Sequence, residues 1–151
     1  MPNPVSLIFS GRAGVSFVDA TRVSIGNISI DYDPRPTKPL ASITYALVNS
    51  SEVLTQDLTI RSAPYMAVTA FTGGGNHTFR RLQFAPPTPG ALVSMRDAIH
   101  FSDVRIGPTI EDSSVGWCGD DFLNIKNTLP LLLGCDSDIS CVIINPHVSG
   151  E

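Results

Sequence analysis

The chain has 151 residues, the length of a single domain, with 42% hydrophobic and 16% charged residues, a balance too apolar for disorder and too lightly charged for a coiled coil. A net charge of −4 provides no basic field for phosphate backbones, which argues against a nucleic-acid partner. Twelve prolines and twelve glycines leave no long stretch for a helix, so an all-β chain with many corners is expected.

At the N-terminus, Met1-Pro2-Asn3-Pro4 carries no positive region, and the apolar run Val5 to Phe9 is too short for a signal-peptide core. The first strong pattern is internal. Residues 15–30, VSFVDATRVSIGNISI, lie on residues 45–60, YALVNSSEVLTQDLTI, at an offset of 30. Val18 falls on Val48, Val23 on Val53 and Ile30 on Ile60, with Asp19 on Asn49 and Asn27 on Asp57. Each unit alternates apolar and polar residues, bends at an Asp/Asn corner and alternates again, as two short half-buried strands do. Asp31-Tyr32-Asp33-Pro34 reads as a further corner from which a proline-rich loop departs.

The corner recurs at Phe17-Val18-Asp19, Leu47-Val48-Asn49, a degenerate Ala70-Phe71-Thr72, Phe101-Ser102-Asp103, Ile125-Lys126-Asn127 and Ile143-Ile144-Asn145. A second series ends at Ile30, Ile60, Phe84 and Val115, with spacings of 30, 24 and 31 residues. Units that cannot bury an apolar face alone must stack, so residues 1–151 are expected to form one right-handed parallel β-helix, a solenoid of about five to six rungs without caps. The stacked Asn and Asp corners should form a ladder. A β-sandwich is the competing architecture, but the Asn-Gly and Asp-Gly hairpin signals are absent. Gly73-Gly74-Gly75 reads as a flexible corner, since no Lys-Ser/Thr follows to make a phosphate loop, and His77 beside it should be exposed. No apolar run is long enough to span a membrane. Cys118, Cys135 and Cys141 leave the disulfide state open, and oligomeric state is not legible.

Two segments carry chemistry: Asp97-Ala98-Ile99-His100-Phe101 and Gly119-Asp120-Asp121-Phe122-Leu123-Asn124-Ile125. Matching Ile99 to Leu123 and Phe101 to Ile125 gives an offset of 24, which sets Asp97 on Asp121 with Asp120 alongside. Crowded carboxylates are a means of keeping one protonated beside another that is ionised. Divergent side chains could open the gap to the roughly 6.5–9.5 Å of an inverting glycosidase. His100 and Asn124 share a stacked position of opposite parity to the core, with Lys126 two beyond, and should face sugar hydroxyls. Trp117 is either a stacking platform for a sugar or a core residue. No metal or cofactor is required, although clustered Asp oxygens would also suit calcium. An inert Asp cluster on a carbohydrate-binding or scaffold β-helix is the alternative to an enzyme.

The string DAIHFSDVRIGPTIEDSSVGWCGDDFLNIKNT resembles the central rungs of carbohydrate-active right-handed β-helix proteins. Its spacing is similar to that of the bacterial α-1,3-galactosidases, and the looser Asp…Asp-Asp plan is shared with polygalacturonases. The resemblance implies a secreted, carbohydrate-directed protein in which Asp120 is the general acid and Asp121 with Asp97 activates water. Ala98 stands where the family usually has Gly, and Lys126 where the galactosidase-like pattern has His. The negative charge and the missing basic motifs favour a neutral glycan over a pectin-type acid.

Overall fold

The computed structural model describes residues 5–9, 14–32, 43–127, 131–137 and 140–144. Among them are strands and no helix, so none is long and apolar enough to cross a membrane. Strands β2 (Val15–Val18), β4 (Tyr45–Val48), β6 (Val68–Phe71), β9 (Ile99–Ser102) and β11 (Leu123–Lys126) make one parallel sheet, ordered β11-β9-β6-β4-β2. Strands β1 (Val5–Phe9), β3 (Ser24–Tyr32), β5 (Leu54–Ile60), β7 (Thr78–Arg80) and β10 (Thr109–Glu111) make a second, ordered β1-β3-β5-β7-β10. A short strand, β8 (Gln83–Phe84), also pairs in parallel with β5. Strands β12 (Leu131–Ser137) and β13 (Ser140–Ile144) form a separate antiparallel pair, in which Cys135 is the register partner of Cys141.

The internal repeat is the sheet register. Val18 pairs with Val48, Ile30 with Ile60, and Ile60 with Phe84. The Gln83–Ser114 bridge carries the last series on to Val115. Each repeat therefore adds a strand to both sheets, and the parallel pairing excludes a sandwich of hairpins. The expected corner at Ile143-Ile144-Asn145 does not continue this stack: β13 runs antiparallel to β12, and Asn145 lies outside the described residues. Asp31 and Tyr32 are not a corner either. They extend β3, because β1 offers Ile8 and Phe9 as their partners, and the proline-rich loop lies outside the described residues.

The corners are left-handed. Asp19, Asn49, Thr72 and Asp103 occupy one register position with φ of 55°, 48°, 57° and 61°. Asn and Asp tolerate this region best among residues with a side chain, which is why the sequence places them there. Asn49 Nδ2 donates to Asp19 Oδ1 at 2.7 Å, the first step of the expected ladder, which Thr72 interrupts. A second left-handed stack bends β3 and β5 at Asn27 and Asp57 and separates β7 from β8 at Arg81 (φ 56°, 55° and 55°). Arg81 grips Asp57 through two nitrogens, at 2.6 and 2.8 Å.

Between the sheets, side chains at equal register form columns. Leu47, Ala70 and Phe101 are fully buried on one such column, whereas Ile125 at its end is 55% exposed. Aromatic rings cross between columns: Phe17 on Tyr45 at 5.6 Å, Tyr45 on Phe79 at 6.5 Å and Phe79 on Phe101 at 6.0 Å. Tyr45 satisfies its hydroxyl with Thr55 Oγ1 at 2.7 Å, and burial pushes its pKa up to about 12.

His77, expected in solvent, is buried. It stands one position before Thr78, which pairs with Leu54, and so takes the place below Val53 in a valine column. Its Nδ1 accepts from Val53 N–H at 3.3 Å, its ring lies 6.1 Å from Phe101, and Nε2 has no partner among the described residues. Desolvation lowers its pKa to about 4.

Two predictions follow from backbone and burial. Thr72 is β-branched in a left-handed conformation, so Thr72→Asn should raise the unfolding free energy by about 1 kcal/mol in urea titrations. Folded His77 stays neutral while the unfolded chain gains a proton between about pH 6.5 and pH 4, so stability falls on acidification through that window. His77→Asn retains an acceptor but does not titrate. It should remove roughly 2 kcal/mol of the loss between pH 7 and pH 4.5, and an unchanged pH profile would contradict this account.

Candidate functional site

The same register that builds the core brings the carboxylates together. Ile99 pairs with Leu123, and Ala98 N–H donates to the Asp121 carbonyl at 2.9 Å, so Asp97 and Asp121 stand at the mouths of adjacent strands. One carboxylate oxygen from each of Asp97, Asp120 and Asp121 lies within 4.8 Å of the others. The carboxylates thus meet as the register implies, closer than the roughly 6.5–9.5 Å of an inverting glycosidase.

The three differ in surroundings. Asp97 is 4% exposed, and its carboxylate accepts from His100 Nδ1–H, three residues on. Asp120 is exposed and accepts from Arg96 Nη1 at 3.2 Å. Asp121 is exposed and accepts from Asn124 Nδ2 at 3.4 Å. These three oxygens are also the group that could ligate a hard divalent cation.

His100 does share a register position with Asn124, as expected, but it is 3% exposed and faces Phe71 at 6.2 Å. It therefore cannot meet a sugar; it holds Asp97. Lys126 is level with Ser102, five residues past Asp121, or roughly 16 Å along a strand, so it is not brought to the carboxylates. Trp117 is 55% exposed, which removes the core alternative. Its carbonyl anchors the preceding connection by accepting from Val93 N–H at 2.6 Å.

Sequence reasoning missed Arg96, Tyr65 and Phe122. Arg96 lies 5.9 Å from the centre of the Tyr65 ring and links it to Asp120. The offset of 24 that sets Asp97 on Asp121 also sets Arg96 on Asp120, so this partner was available to the same alignment. Phe122 is 65% exposed beside Asp121, an aromatic surface that strand alternation alone does not flag. Trp117 and Phe122 are thus two exposed aromatic residues that flank the Asp120-Asp121 pair in sequence. No protein-family model, curated protein or solved structure matches the chain.

The two charge pairs should separate in double-mutant cycles followed by denaturant unfolding. Asp97 and His100, both buried, should couple by about 1–3 kcal/mol, whereas exposed Arg96 and Asp120 should couple by less than about 1 kcal/mol. Equal coupling in the two cycles would refute the distinction.

Proposed function

We propose that the chain is a right-handed parallel β-helix of five to six rungs whose aspartate cluster hydrolyses a glycosidic bond in a neutral glycan. The architecture is supported by the constant register of the two sheets and by the right-handed habit of parallel crossovers. The reading rests above all on the spacing of the carboxylates. A water hydrogen-bonded at about 2.8 Å to two oxygens places them roughly 4.4 Å apart, which matches the approach of Asp97, Asp120 and Asp121 to within 4.8 Å.

In this mechanism Asp97 and Asp121 hold and deprotonate the water, while Asp120 protonates the departing glycosidic oxygen. His100 fixes Asp97, so the water has one immobile acceptor. Asp120 is exposed and held only by Arg96 among the described residues, so it can turn outward when a sugar enters and widen the gap to the separation an inverting enzyme needs. Trp117 and Phe122 supply ring faces for the glycan, and Asn124 orients Asp121. The resemblance to carbohydrate-active β-helices agrees with these roles. The openness of Asp120 and Asp121 also favours a second reading, a surface that binds the glycan without cleaving it.

The test is a panel of nitrophenyl glycosides and neutral disaccharides with the product anomer read by NMR. The folded chain should release an inverted sugar, and chelation of divalent cations should leave the rate unchanged. Asp121→Asn should lower kcat at least 100-fold on every substrate. Asp120→Asn should do the same on disaccharides and much less on nitrophenyl glycosides, whose leaving group needs no proton. Binding without turnover would establish the second reading, and full activity of Asp120→Asn on a disaccharide would remove it from the acid role.

A further inference from the structure

The Gly73-Gly74-Gly75 corner makes a second site, at the end of β9 away from the aspartates. Ser51, Gly75 and Ile106 are bridged partners on three successive repeats. At Gly74 and Gly75 the middle repeat contributes backbone alone. A Cβ on Gly74 would meet Ser51 Oγ at 2.3 Å, and one on Gly75 would meet the Ile106 carbonyl at 2.1 Å. Glycine therefore lets the repeats close, and it also leaves a notch between the side chains above and below. The notch is a groove of about 410 Å³, within the range of ligand sites.

Its walls have a definite chemistry. Glu52 lies on one side, held by Arg22 at 3.1 Å. Arg105 lies on the other, and its guanidinium has no partner among the described residues. Asn76 adds an amide, and Ile106, 56% exposed, adds an apolar face. The Ser51 oxygen already accepts from Gly74 N–H at 3.0 Å, which leaves its hydroxyl proton to donate. An apolar ligand would strip water from these polar groups without replacing it. A phosphate or carboxylate would face the Glu52 carboxylate. A hydroxyl both donates and accepts, so a neutral polyol satisfies Glu52, Arg105, Asn76 and Ser51 at once and lays its ring on Ile106.

We infer that the groove at Glu52, Asn76 and Arg105 binds a neutral saccharide. This inference does not rest on hydrolysis at the aspartates. Asn76-His77-Thr78 is an N-glycosylation sequon, so the test uses the full chain from a host that does not glycosylate. It carries Asp120→Asn, and lactose, cellobiose and galacturonic acid are followed by saturation-transfer NMR. Transfer to the neutral disaccharides that weakens about tenfold on Arg105→Ala, at unchanged melting temperature, supports the site. Transfer indifferent to Arg105→Ala but abolished by Trp117→Ala assigns the binding to the aspartate face and overturns it. Preference for galacturonic acid, or no transfer to either disaccharide from the folded chain, also overturns it.

Discussion

A strand that pairs in parallel with one a full repeat earlier has no tight turn to set its register. The register must come from the corners, and at these corners one residue turns the chain with φ near +55°. The stack of Asp19, Asn49, Thr72 and Asp103, and that of Asn27, Asp57, Arg81 and Asp112, repeat this conformation at successive repeats. A one-residue slip would move inward side chains outward and bring a residue intolerant of the left-handed region into the corner. Both penalties act together, so the columns from Phe17 to Ile125 and from Ile30 to Val115 stay aligned although the repeats differ in length.

The difference in length falls almost wholly in one place. From Ser24 to Ile30, Leu54 to Ile60, Thr78 to Phe84 and Thr109 to Val115 the segments match residue for residue, and the first corner varies by one residue. The rest falls in the connection from the second sheet back to the first, long before β4 and β9 and short before β6 and β11. Tyr65, Arg96, Asp97, Trp117, Asp120, Asp121 and Phe122 all belong to these connections. The candidate site thus collects where the fold tolerates change, while the strands that follow deliver each residue at a fixed height.

This division explains what could be read from the sequence. Val18 over Val48, Ile60 over Phe84 and Asp97 over Asp121 were legible because apolar parity and corner chemistry leave a mark on every repeat. His77 was not, since an Asn-His-Thr string after three glycines has the composition of an exposed turn. Only its place below Val53 reveals that it points inward, with Nε2 unpaired among the described residues. His100 was misjudged for a related reason: alternation gives the face of a sheet but not whether that face is covered, and here the outward Ala46, Thr69 and His100 are all buried. The approach of the carboxylates depends on rotamers, which spacing does not encode.

The two candidate sites arise from opposite uses of one constraint. At the connections the chain can lengthen, so polar and aromatic side chains are added there: Asp97 held by His100, the exposed Asp120 and Asp121, and the exposed Trp117 and Phe122. At the corner behind Ser51 no side chain can be added, because the backbone of the next repeat stands within 2.1 Å of where a Cβ would be. Side chains are removed there instead, and the notch exposes what the neighbouring repeats carry. A fold whose register is set by its corners can therefore acquire a site at a corner only by glycine and at a connection by insertion. The two arrangements can change independently, because neither shifts the height of a strand.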